Sequence, residues 1–331
     1  MGPILTPGGS RVGSRREPIA HWWLAGLVAV ALALALLLGL MAGVAAGPSS
    51  AALAHRAGSR VHRPTIHPPT YGWTLARGFQ RVAVRLKLGL TSGLLFNVRT
   101  GTVLWSRRPD RVLPIASLTK MMTALIVVAH SRPTDRVLIT RQAVHFSGSG
   151  VGLLPLGKRV PLLALLYGLM LPSGNDAAIA LAQHVAGTQS HFVALMNQQA
   201  RSWGLRCTHF SSVSGILDQG NHACVGDLAF LAHRVLEQPL LARIVGSRSA
   251  ILPFPIKGRR LYLYNNNPLL VVGYPGADGV KTGFTTAAGV CLVATARRGQ
   301  AWFGVVLLHS ANDLAQAQTL LNAAFARDGR S

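Results

Sequence analysis

The rhythm of apolar and polar positions changes several times along the 331-residue chain, and each change marks a predicted element. From Trp22 to Gly47 the chain is apolar with no charge inside the run. A membrane-crossing helix needs about 20 such residues and a secretory apolar core about 7–15, so the run is long enough to span a bilayer. Ala52-Leu53-Ala54 behind it is similar to a small-residue cleavage site, which leaves a cleaved leader open beside an uncleaved anchor. Arg11, Arg15 and Arg16 precede the run, but Arg56, Arg60 and Arg63 follow it, so the positive-inside rule alone does not orient it. Residues 1–21 are expected to be a basic cytoplasmic segment, 22–47 a signal anchor or signal peptide, and the remainder to be exported. Residues 48–80, rich in Pro, Ser, Gly, Arg and His and without a period, read as a tether.

From about Val82 the pattern becomes that of a folded domain, expected over 81–328. Leu94-Leu95-Phe96 and Val103-Leu104-Trp105 flank Arg99-Thr100-Gly101, which predicts a β-hairpin. Met121, Met122, Leu125 and Val128 are spaced to bury one face of a helix over 117–130. Leu162–Leu171 is a second helical stretch, stopped by Pro172. An alanine-rich helix follows from Asp176 to Val185, then two more over 189–203 and 226–236. Val280–Thr282 reads as a strand. Gly289–Ala296 and Trp302–Leu308 form a second hairpin around Arg297-Arg298-Gly299, and Leu314–Phe325 is a last helix packed on that sheet. Strands at both ends with helices between predict one α/β (α+β) domain whose sheet joins its N- and C-terminal parts.

Composition changes this picture in two ways. The net charge of +23 comes from 33 basic against 10 acidic residues, which points to a polyanionic neighbour or an arginine-writing genome. Nucleic acid is the weaker partner, because the arginines are scattered and no nucleic-acid-binding motif is present. The second change is scarcity: only five lysines (Lys87, Lys120, Lys158, Lys257, Lys281) stand against 28 arginines. An arginine stays charged, whereas a buried lysine can lose its proton. Of the three cysteines, Cys207 and Cys224 are the candidate disulfide pair, and Cys291 in an apolar run reads as a buried small hydrophobe. No Cys/His spacing suits a metal, and no cofactor is expected.

Two of the five lysines fall in short motifs that carry candidate chemistry. In Ser117-Leu118-Thr119-Lys120, a serine and a lysine three apart at a helix start share one face. A lysine whose pKa is lowered by desolvation and by a second cation could take the serine's proton. Lys281 would supply that cation. In Ser173-Gly174-Asn175, Ser173 or Asn175 is expected to cap the following helix, and the pair could relay a proton and position a reactant. In Lys281-Thr282-Gly283, an edge strand offers a charge and a hydroxyl to a carboxylate, and Gly283 lets a substrate backbone approach. Each motif is weak alone.

Their order is not. The extended segments Pro114–Ala124, Leu171–Ala178 and Tyr274–Thr285 resemble the low-molecular-mass penicillin-binding proteins of the serine-type D-alanyl-D-alanine carboxypeptidase family (peptidase S11-like), over roughly 90–326. The resemblance implies a serine β-lactamase/transpeptidase-like domain. It implies that Ser117 attacks the carbonyl between two terminal D-alanines of a peptidoglycan stem peptide and that Lys120 takes the proton. Ser173 and Asn175 would relay that proton, while Lys281, Thr282 and Thr285 hold the terminal carboxylate. Backbone N–H groups of Ser117 and Phe284 would form the oxyanion hole, and β-lactams would acylate Ser117. The same residues would serve a DD-endopeptidase cutting cross-links, and a non-hydrolytic, membrane-anchored wall or β-lactam sensor would keep the fold. A class A β-lactamase is excluded: Glu237 is the only glutamate after Glu17, and no deacylating pattern surrounds it. No Gly-x-Ser-x-Gly elbow supports a Ser-His-Asp hydrolase. The chain departs from the family at His309–Asp313, where many relatives have an arginine near the carboxylate site, and at Cys224, where many have a serine.

Overall fold

The computed structural model describes residues 82–86 and 89–329, so the basic segment, the apolar run and the tether all lie outside the described residues. Among the described residues no helix is long and apolar enough to cross a membrane. The chain enters a sheet at β1 (Leu90–Asn97) and turns back at β2 (Val103–Arg107). A helical region follows. Its elements are β3 (Leu113–Pro114), a 3-10 turn at Ala116–Thr119, α1 (Lys120–His130), β4 (Arg136–Leu138), α2 (Arg141–Val144), β5 (Arg159–Pro161) and α3 (Leu162–Met170). It continues with α4 (Asn175–Ala186), α5 (Gln189–Ser202), β6 (His222–Ala223), α6 (Val225–Glu237) and α7 (Pro239–Gly246). The hairpin β7 (Ser249–Pro253) and β8 (Arg260–Tyr264) and the short α8 (Pro268–Val271) lead to β9 (Ala277–Thr285), β10 (Gly289–Arg298), β11 (Ala301–Ser310) and α9 (Asp313–Asp328).

The five long strands make one antiparallel sheet in the order β2-β1-β11-β10-β9. The first and last strands of the domain therefore meet: Leu90 pairs with Ser310 and Asn97 with Phe303. This is the expected mixed α+β architecture, with β9 at the edge. Both faces of the sheet are covered. Leu94, Phe96, Val293, Val306 and Leu308 pack against the helical region, while Leu95, Leu292, Val305 and Leu307 pack with Leu320 and Leu321 of α9. Burial on both faces explains why β10 and β11 read as continuous apolar runs rather than alternating ones.

Helix α1 lies at the centre of the helical region. Its residues 120–127 are all buried, so burial runs round the helix rather than along the single face predicted, and the polar members Lys120 and Thr123 are held by hydrogen bonds. Cys207 and Cys224 are disulfide-bonded, with Cα atoms 5.4 Å apart, and Cys291 is free and buried. One expectation is corrected at α4. Gly174 is its N-cap and no side chain caps it; Ser173 lies outside the helix and Asn175 is its first residue. Both side chains are thereby released from capping.

Candidate active site

Ser117 sits on the 3-10 turn that opens α1, and it is partly exposed while Ile115, Ala116, Leu118, Thr119 and Lys120 around it are buried. The turn is bent by Ala116, whose φ of 47° is in the left-handed region. The Thr119 hydroxyl donates to the Ala116 carbonyl at 2.8 Å and holds the bend. Gly215, at φ 79°, presses on the other side: a Cβ there would collide with the Ala116 carbonyl. The nucleophile candidate is thus presented from a fixed, strained turn.

Lys120 is completely buried, and three atoms surround its Nζ: Ser117 Oγ at 2.8 Å, Asn175 Oδ1 at 2.7 Å and the Ser214 carbonyl at 2.9 Å. Asn175 Oδ1 and the carbonyl can only accept. An ammonium would donate to all three; a neutral amine would donate to these two and keep its lone pair for the Ser117 hydroxyl. The Asn175 amide is oriented by its own Nδ2, which donates to the Ser147 carbonyl at 2.6 Å. Burial holds the Lys120 pKa well below the ordinary lysine value, the nearby Lys281 lowers it further, and Asp176 opposes both. Asp176 itself accepts from the Val151 and Gly152 N–H groups, each at 2.9 Å, and so ties the 147–152 loop beside Asn175.

Ser173 is buried at a φ of 67°, and among the described residues its Oγ has no hydrogen-bond partner. A strained backbone and an unpaired buried hydroxyl both cost stability, which marks a position kept for a task.

On β9, Lys281, Gly283 and Thr285 alternate to one side and Thr282 and Phe284 to the other. Gly283 meets the nucleophile turn directly: a Cβ there would lie 3.0 Å from the Ser117 nitrogen and 3.1 Å from the Ile115 carbonyl. The missing side chain therefore admits the protein's own turn against the strand. Lys281 is buried, its Nζ donates to the Thr282 carbonyl at 2.9 Å, and burial lowers its pKa to about 7. The Thr285 hydroxyl donates to Asp218 and accepts from the Ala288 N–H at 3.1 Å. The Phe284 side chain is exposed.

The structure thus gathers Ser117, Lys120 and Asn175 by direct hydrogen bonds, with Gly283 against the turn and Lys281 coupled by charge. Sequence reasoning missed Ser214, Gly215, Asp218, the loop-tying part of Asp176, and the carbonyls of Ser147 and of Ser149, which accepts from the Asn175 N–H at 2.8 Å. The Gly- and Asn-containing stretch 211–221 was the available signal, since loops so composed often carry sites. Among the described residues one group, Cys207, Cys224 and Asp227, brings metal-ligand atoms together, but its two sulfurs are bonded to each other.

Comparison with known proteins accords with this geometry. Residues 83–312 match the peptidase S11 family, described as D-alanyl-D-alanine carboxypeptidase. The chain is 32% identical to the D-alanyl-D-alanine carboxypeptidase DacF of Bacillus subtilis over 213 residues, covering 63% of this chain and 54% of that protein. It is 34% identical to DacA of Escherichia coli K12 over 219 residues, covering 63% and 53% respectively. It therefore spans about half the length of these relatives. The crystal structure of the Streptomyces K15 DD-transpeptidase superposes with a TM-score of 0.69 at 32% identity, covering 74% of this chain and 100% of that one. The matched span contains Ser117, Lys120, Ser173, Asn175 and the Lys281–Thr285 part of β9, and the chain belongs to the peptidase S11 family.

Proposed function

We propose that the domain is a serine-type D-alanyl-D-alanine carboxypeptidase acting on peptidoglycan stem peptides. The observation that carries this reading is the buried Lys120 amine, 2.8 Å from the partly exposed Ser117 hydroxyl and cradled by two pure acceptors. Ser117 Oγ attacks the carbonyl between the two D-alanines as its proton passes to Lys120 Nζ. The N–H groups of Ser117 and Phe284 receive the developing oxyanion. The C–N bond breaks, and Lys120 Nζ, held by Asn175 Oδ1, returns the proton toward the departing amine. A relay through Ser173 requires its hydroxyl, unpartnered among the described residues, to turn toward Lys120 when substrate is bound. Water then hydrolyses the ester, with Lys120 as base. Lys281 and Thr285, on the same side of β9, hold the terminal carboxylate; the part expected for Thr282 is not supported, since its side chain alternates to the other side. β-Lactams acylate Ser117 in the same cleft.

The disulfide supports work in an oxidising compartment, which suits an extracytoplasmic domain in the cell envelope. Residues 22–47 would anchor it to the membrane. A fluorescent penicillin gel of the wild type and Ser117→Ala tests the acyl-enzyme: equal labelling of both, or of neither, defeats it. Release of D-alanine from a pentapeptide, set against cleavage of a cross-linked dimer, separates carboxypeptidase from endopeptidase. Absence of both reactions with labelling retained favours a sensor.

A further inference from the structure

Asp218 reaches the end of β9 from the 211–222 loop, and its Oδ1 accepts from the Thr285 hydroxyl. The loop presents it rigidly. Its neighbours' carbonyls are both tied: Asn221 Nδ2 donates to the Leu217 carbonyl at 2.6 Å, and Ser211 Oγ to the Gln219 carbonyl at 2.6 Å. The same loop supplies the Ser214 carbonyl to Lys120, so Asp218 is registered to the reactive centre. Among the described residues no ion pair neutralises it.

A threonine hydroxyl has one proton to give. Thr285 can donate it to Asp218 or to a substrate carboxylate, not to both, and its acceptor side is already turned to the Ala288 N–H. A carboxylate arriving at Thr285 would also stand roughly 5 Å from a like charge. We infer that Asp218 is a specificity-determining residue that relaxes the demand for a free carboxylate on the departing residue, so that D-alanyl peptides with an uncharged C-terminus compete for the cleft. This rests on the proposed reading of β9 as the wall that holds the leaving residue. The buried Lys281 adds to the effect, because it is only partly charged near neutrality.

The test is a pair of ligands, an acyl-D-alanyl-D-alanine peptide and its C-terminal amide, titrated calorimetrically against Ser117→Ala protein. Adding Asp218→Asn keeps an acceptor for Thr285 and removes the charge. It should tighten the carboxylate peptide relative to the amide by about tenfold. Adding Thr285→Val instead removes the donor and keeps the charge, and should move the ratio the opposite way. A ratio unchanged by Asp218→Asn, or moved in the same direction by both substitutions, overturns the inference. Failure of the catalytic reading registers separately, as absence of penicillin labelling in protein that retains Ser117. Binding of neither peptide overturns both.

Discussion

Lys120 and Lys281 show how one residue type is placed in two different surroundings, which fits the two tasks proposed for them. Both are buried, but Lys120 also feels Lys281, and its three oxygen partners can be served by an ammonium or by a neutral amine. Its pKa lies well below the ordinary value, so the base form grows as pH rises through that lowered pKa. Lys281, lowered to about 7, carries its charge below neutrality and loses it above. We predict a bell-shaped kcat/KM for a carboxylate-terminated peptide. The acid limb reflects Lys120, and the alkaline limb near pH 7 appears in KM as Lys281 deprotonates. The amide of the same peptide should lack that alkaline limb; an identical limb for both ligands would contradict the assignment of Lys281. Ser117, Lys120 and Asn175 were legible in the sequence because they meet through their side chains. Ser147 and Ser214 were not, since they act through carbonyls that any residue could supply. Asp218 was hidden because its reach depends on how the loop folds.

Among the elements, the nucleophile turn and the 211–222 loop behave as one unit. Gly215 touches the Ala116 carbonyl, the Thr123 hydroxyl donates to the Val213 carbonyl at 2.7 Å, and Ser214 holds Lys120. Gly215→Ala would place a methyl group into that contact at a φ of 79°. It should destabilise the fold by about 1–3 kcal/mol and slow penicillin acylation more than tenfold. Thermal melting and the labelling rate check this, and normal acylation would show the loop to be a bystander. The hairpins β1–β2 and β10–β11 were readable from apolar runs around short Arg- and Gly-containing turns. The β7–β8 hairpin was not: Pro253 and Pro255 flank its turn, and although β8 alternates outward Tyr262 and Tyr264 with inward Leu261 and Leu263, these residues read as one apolar run in the sequence. The caps of α4 were misread because Ser173 and Asn175 are capping types diverted elsewhere.

Across the molecule, covalent and topological closure share the task of holding the site. The disulfide closes a segment with a sequence separation of 17 that contains the whole 211–222 loop. Such a closure contributes about 3 kcal/mol by restricting the unfolded chain. Reduction should lower the melting temperature while leaving Ser117 labelling intact at low temperature, and loss of labelling without unfolding would give the bond a direct part in the site. The sheet order has another effect. Strand β11 lies between β1 and β10, so the opening hairpin has its partner only once Ala301–Ser310 has been made. Pairings so distant in sequence form late. Chains truncated before Ala301 should therefore be open to protease throughout, and a resistant core would refute this. If the domain is exported as proposed above, that delay would keep the polypeptide free of its finished sheet, and so threadable through a narrow channel, until β11 has been made.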